Sequence, residues 1–232
     1  MITLRKSEDR GEAHHGWLRS KHSFSFGDYY DKAFLGFGPL RVINEDRIEG
    51  GSGFSPHDHQ DMEIISYVIT GALQHQDSLN NTAIIRPGDV QRMSAGTGVR
   101  HSEYNVLKDQ VTHFLQIWIK PEKKGMTPSY GQHSFSESLQ RGDLTLVASK
   151  SGKEGSITLN QDVDISIQQA SQSGERIFPT SLQRRYWIQL IQGTLQVEQT
   201  LLQSGDGAQI QKVNALNLSW QAGVHFILFD LP

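Results

Sequence analysis

From residue 63 to residue 119 the chain is cut into short strands by closely spaced turn signals, and that rhythm leaves no room for a long helix. Residues 63–69 are β-branched and largely apolar, and Thr70-Gly71 turns them. Residues 72–77 alternate in polarity. Ser78-Leu79-Asn80-Asn81 has the composition of a hairpin turn, residues 82–86 resume a strand, and Pro87-Gly88-Asp89 ends it. Residues 90–93 follow, then a loop of small residues over 94–98. Residues 113–119 are almost continuously apolar, the pattern of a strand covered on both faces. Short strands at this spacing point to an all-β fold, an antiparallel barrel or sandwich.

The second half echoes the first. Residues 187–197 repeat the strand–glycine–strand pattern of residues 67–75, and Ser204-Gly205-Asp206 stands where Pro87-Gly88-Asp89 stands earlier. Residues 226–231 echo the strand that ends at Ile119. Weak matches in the same order read as an internal duplication. The segment 121–128 holds Pro121, Gly125, Pro128 and a charge cluster, and makes the best boundary between a unit of residues 1–120 and one of residues 121–232. Residues 135–140 read as a short helical turn.

The strongest chemical signal lies at the two ends of residues 51–105. His57-Asp58-His59 opens that stretch and His101-Ser102-Glu103 closes it. Side chains two apart on a strand share a face, so each pair projects to one side and four ligands can converge on one ion. Three imidazoles and a carboxylate suit Fe, Mn, Ni, Cu or Zn better than Ca or Mg. The second half has neither pair, so a duplicated unit there carries no metal site, and His225 reads as structural. His14, His15, His22, His113 and His133 read the same way. Glu63 shares the parity of His57 and His59 only if the strand runs on unbroken. It reads as a structural or ligand-orienting residue, and His75 as a core or rim histidine. Gly51, Gly53, Gly96 and Gly98 flank the ligand strands, where backbone geometry is demanding, and Pro56 holds Ser55 extended.

Composition removes several other classes. At 36% hydrophobic residues, the chain of 232 supports a core, and no apolar run approaches the ~20 residues of a membrane helix. Residues 1–10 lack the apolar core of a signal peptide, which reads as a cytoplasmic protein. With no cysteine, disulfides, thiolate ligands and a Cys nucleophile are excluded. The 22 basic and 25 acidic residues are interspersed, with a formal net charge of −3, so no direct nucleic-acid partner is expected. Near the N-terminus, Phe24 and Phe26 alternate like a short strand. The aromatics of that region read as core of an N-terminal sheet extension or as the rim of a pocket.

Gly51, His57, His59 and Glu63, followed by Gly88, His101 and Asn105, look like the two cupin motifs, with small departures in spacing and without the second motif's usual proline. Residues 24–30 (FSFGDYY), 57–63 (HDHQDME), 74–78 (QHQDS) and 94–105 (SAGTGVRHSEYN) resemble the pirin family within the cupins, its bacterial members above all. The resemblance is close over residues 15–130 and looser beyond.

It implies a bicupin, two jelly-roll-type antiparallel β-barrels in tandem, with metal in the first alone. It also implies a divalent ion, Fe(II) foremost, on residues matching His57, His59, His101 and Glu103, with Mn, Ni, Cu and Zn compatible. The implied activity is a quercetin 2,3-dioxygenase-like oxidoreductase that opens a flavonol with O2. The partners are then a small aromatic substrate and O2, and the chain is expected to be a monomer. Glu103 has two roles open to it, staying a ligand or leaving the metal to act as a catalytic base. Other family members are transcriptional co-regulators, so the alternative is a non-enzymatic metal-binding regulator with a protein partner. A metal-dependent isomerase also fits a cupin pocket and would need basic residues, for which Arg41, Arg92 and Arg100 are the candidates.

Overall fold

The computed structural model describes residues 1–232. The strands are, in order, β1 (Ile2–Arg5), β2 (Gly11–His14), β3 (Leu18–His22), β4 (Leu40–Ile48), β5 (Gly53–His59), β6 (Glu63–Thr70), β7 (Leu73–Asp77) and β8 (Thr82–Ile85). They continue with β9 (Asp89–Ser94), β10 (Val99–Asn105), β11 (Thr112–Ile119), β12 (Ser129–Ser134), β13 (Thr145–Ser149), β14 (Ile157–Thr158) and β15 (Asp164–Ala170). The last are β16 (Gly174–Pro179), β17 (Arg185–Gln192), β18 (Thr194–Val197), β19 (Thr200–Gln203), β20 (Gly207–Gln211), β21 (Ala215–Trp220) and β22 (Val224–Leu231). A single short α-helix, α1 (Ser136–Gln140), falls on the helical turn read at 135–140.

Two compact units form. One holds residues 11–136 and 157–161, the other residues 1–10, 137–156 and 162–232. In the first, a seven-stranded antiparallel sheet (β12-β9-β6-β11-β4-β3-β2) packs on a four-stranded one (β5-β10-β7-β8). The core between them takes Leu18, Ile48, Val68 and Phe114 from the larger sheet and Leu73 and Ile85 from the smaller. Burying each such side chain is worth ~1.5–3 kcal/mol. The alternation in β7 (Leu73 in, Gln74 half-out, His75 in, Gln76 out, Asp77 in) is what seats that strand on its core.

The second unit repeats this plan. Its larger sheet runs β1-β20-β17-β22-β15-β13 and its smaller sheet β16-β21-β18-β19. The orders β5-β10-β7-β8 and β16-β21-β18-β19 correspond strand for strand. The turn glycines correspond too, since Gly71 between β6 and β7 and Gly193 between β17 and β18 both have φ 89°. No side chain with a Cβ holds that conformation without strain. The duplication read in the sequence is therefore present in topology. Where β10 carries His101 and Glu103, β21 presents Leu216 and Leu218 to an apolar core.

The strand expected at Phe24 and Phe26 does not form. Phe26 and Tyr29 exchange backbone hydrogen bonds across a tight turn at Gly27 (φ 57°), which breaks the alternation. Phe24 is buried in the core, while Phe26 and Tyr29 line a cavity, so these aromatics split between core and rim. No helix is long and apolar enough to cross a membrane.

Candidate metal centre

β5 and β10 are antiparallel neighbours, and His57 stands directly opposite His101. His59 pairs with Val99 on the same ladder. One ring nitrogen from each of His57, His59 and His101 lies within 4.8 Å of the others. The ring centroids are 4.8 Å apart for His57 and His59, 4.5 Å for His57 and His101, and 5.0 Å for His59 and His101.

A register shift gives this convergence its shape. His101 faces His57, yet Glu103, two residues on, faces Phe54, three residues back. β5 therefore holds an extra residue at Ser55-Pro56, a bulge that brings Phe54 onto the face of His57, with centroids 6.4 Å apart. Proline suits this place because β5 is an edge strand, where a missing N–H costs the ladder little. The His57 Nδ1–H donates to the Ser55 carbonyl inside the bulge at 2.7 Å, which leaves Nε2 as the free lone pair. Gly53 lets the strands close up, since a Cβ there would stand 2.2 Å from the Glu103 carbonyl oxygen.

Two of the three imidazoles, those of His59 and His101, are held neutral. Burial, followed by repulsion from His101 and His57, pushes His59 down to about 4, against the opposing pull of Glu103 and Asp58. Burial, followed by repulsion from His57 and His75, pushes His101 down to about 3. A neutral ring offers a lone pair at neutral pH, which a metal ligand requires. The His101 Nε2 is buried and meets no hydrogen-bond partner in the protein, so the donor set fits a cation.

Glu103 lies fully buried beside this cluster. Ser66 Oγ donates to its Oε1 at 2.7 Å and Gln116 Nε2 to its Oε2 at 2.9 Å. Trp118 Nε1 in turn donates to Gln116 Oε1 at 3.1 Å. The carboxylate is oriented from β6 and β11, and each oxygen keeps a further lone pair. One of its oxygens lies within 4.8 Å of ring nitrogens of His101 and His75, a grouping that shares His101 with the three-histidine cluster.

Glu63 is elsewhere. A break at Asp61 (φ 50°) separates β5 from β6, so the parity argument fails. Glu63 accepts hydrogen bonds from Ser94 Oγ at 2.8 Å and from the Asn160 amide and side chain, both at 3.2 Å, and pins residues 157–161 to the sheet. It is the structural residue of the two readings the sequence left open. His75 points inward from β7 and touches His101, and no signal in the sequence marked it beyond the alternation of its strand. Among the histidines read as structural, His113 bonds Glu45 at 3.0 Å, His22 and His225 are buried, and none joins the cluster.

A cavity of about 370 Å3 lies beside the cluster, lined by Trp17, Phe26, Tyr29, Phe54, Asn44 and Gln116 among others. Phe54 and Gln116 touch the candidate ligands His57 and Glu103 as described. Phe26 packs edge-on against Trp118 at 5.3 Å, and Trp118 against His59 at 4.9 Å. Arg41, Arg92 and Arg100 do not line it. Arg92 is buried on Ser94 and Ser129, and Arg100 bonds Asp58 and the Pro56 carbonyl at the surface.

Two antiparallel two-sheet units, one with imidazoles converging from adjacent strands of its smaller sheet and one with leucines in that place, define a bicupin. Residues 3–119 match the family model described as Pirin, and residues 146–231 match the quercetinase C-terminal cupin domain. The chain belongs to the pirin family. It is 42% identical over 232 residues to the quercetin 2,3-dioxygenase of Escherichia coli K12, covering all of this chain and 99% of that one. The crystal structure of YhhW from Escherichia coli superposes with a TM-score of 0.96 at 42% identity, covering all of this chain and 98% of that one. The bacterial pirin YhhW in complex with nickel(II) superposes at 0.95, covering all of this chain and 99% of that one.

Proposed function

We propose that this protein is a metal-dependent, iron-type dioxygenase that opens the ring of a flavonol such as quercetin, with His57, His59, His101 and Glu103 holding the metal. The observation that carries this reading is the buried, partnerless Nε2 of His101 in a cluster with His57 and His59 beside an aromatic cavity. The name of the Escherichia coli relative and the nickel complex of YhhW support the same reading. A divalent ion there supplies positive charge that favours the ionised form of a substrate hydroxyl and a redox centre for O2, with Fe(II) first and Mn, Ni, Cu and Zn compatible.

The chain's own residues do the rest. Trp17, Phe26, Tyr29 and Phe54 give a planar aromatic ligand apolar walls and keep water from its face. Asn44 Oδ1 and Ser20 Oγ are buried cavity-lining acceptors with no partner in the protein, and they suit the hydroxyls of a polyphenol. Ser66 and Gln116 hold Glu103 in place. Glu103 is the one carboxylate among the proposed ligands and so the candidate acceptor for the proton of the substrate hydroxyl. No lysine or arginine lines the cavity, which weighs against an acidic sugar or keto substrate.

The test is O2 uptake by Fe(II)-loaded protein given quercetin, with metal-free protein as the blank. Uptake matched to loss of the flavonol is expected. Bound metal with no uptake would overturn the dioxygenase reading and leave a metal-binding regulator.

A further inference from the structure

We propose that His75 and Asp77 are positioning residues, a two-step hydrogen-bond relay that fixes the tautomer of His101 and turns its Nε2 lone pair toward the metal. The inference rests on the metal-site reading above.

His75 stands on β7 opposite Glu103, and Asp77 opposite His101. Both side chains are fully enclosed. His75 Nε2 lies 3.0 Å from Asp77 Oδ2, and His75 Nδ1 lies 3.3 Å from His101 Nδ1. Asp77 is itself fixed. Its Oδ1 accepts from the amides of Leu79 and Asn81 at 2.9 and 3.0 Å, and the Asn81 side chain reaches both oxygens. Burial works against its charge, but the bonds from His75 and Asn81 outweigh it and hold the carboxyl below its usual range.

The protons then have one neutral arrangement. A carboxylate only accepts, so His75 Nε2 carries the hydrogen. The tautomer with its hydrogen on Nε2 presents a lone pair at Nδ1. Of two facing Nδ1 atoms one must donate, so His101 Nδ1 carries its hydrogen and His101 Nε2 is bare. That atom is the buried nitrogen with no partner in the protein. The reverse arrangement, with His75 donating to His101, would place a hydrogen on Nε2 and remove the ligand. His57 obtains the same result from one carbonyl, that of Ser55. His101 obtains it through a second imidazole, which also passes the pull of a carboxylate to the metal ligand and raises its basicity.

The experiment measures Co(II) affinity by chelator competition, with the visible spectrum of the Co(II) protein alongside, for the full-length wild type, His75→Leu and His75→Asn. Leucine fills the space without an acceptor, while asparagine keeps one near the place of Nδ1. His75→Leu is expected to bind about 10–100-fold more weakly, the range for loss of such partners, with a shifted spectrum, and His75→Asn to recover most of the loss. A folded His75→Leu protein with wild-type affinity and spectrum overturns the relay. Long-range 1H–15N NMR of the metal-free wild type reads the tautomers without any variant. A hydrogen on His101 Nδ1 and on His75 Nε2 is expected, and one on His101 Nε2 overturns the inference. A wild type that binds no Co(II) would instead defeat the metal-site reading.

Discussion

His57 on β5 faces His101 on β10 across a single ladder rung, with their rings 4.5 Å apart. The candidate centre is built around this pair, with His59 beside it. Replacing His101 by alanine takes away the most buried of the three rings. Metal content after desalting is expected to fall from one ion per chain to near zero, and quercetin-dependent O2 uptake with it. Retained activity in that variant would mean the site is misplaced.

The low pKa values of His59 and His101 make the metal-free protein acid-sensitive. Below 6.5 an unfolded chain protonates these rings, whereas the folded protein resists until about 4 and about 3. Unfolding thus takes up protons in that window. Stability is complete above 6.5 and declines as pH falls through 4 toward 3. Melting temperatures of the metal-free protein, taken stepwise from about pH 7 downward, should decline accordingly, and those of a His59→Phe, His101→Phe double variant should decline less.

Glu63 and Glu103 are both buried carboxylates held by different partners. Glu63→Gln is expected to keep the metal and lose about 1–3 kcal/mol of stability, because Ser94 and Asn160 lose their charged acceptor. At this size that is roughly 2–4 °C of Tm per kcal/mol. Glu103→Gln is expected to weaken metal binding as well, since an amide must set an N–H toward either Ser66 or Gln116. Equal metal affinity in the two variants would count against Glu103 as a ligand.

Trp17 and Trp118 stand at and beside the cavity, so a bound flavonol should quench tryptophan fluorescence. Asn44→Leu removes a buried acceptor from the lining. Quercetin binding is expected to weaken about 10-fold, equivalent to about 1.4 kcal/mol, while 3-hydroxyflavone, which lacks the additional hydroxyls, binds as before. Equal weakening of both ligands would show that Asn44 shapes the cavity and does not read hydroxyls.

The all-β class and the pairing of the candidate residues were legible because both depend on a period of two, which side-chain order alone displays. His57-x-His59 and His101-x-Glu103 each obey it along their own strands. What escaped is whatever breaks the period or crosses the chain. The bulge at Ser55-Pro56 puts Phe54 and His57, three apart, on one face. The reversal at Asp61 takes Glu63 out of phase with the histidines before it. Asn160 reaches Glu63 across 97 positions, and Gln116 reaches Glu103 from a different sheet, which local patterning does not encode. The Phe24–Phe26 alternation looked like a strand because a turn at Gly27 leaves the same polarity pattern.

β5 lies at the edge of its sheet and is paired along one side only, yet it carries two of the three imidazoles. Backbone bonding alone leaves such a strand among the first to open in a breathing fold. An ion held by His57 and His59 together with His101 would clasp this loose border to the strand beside it, so that occupancy and local opening oppose each other. Amide exchange along residues 53–59 would then report metal occupancy, slow when the ion is bound and fast when it is not.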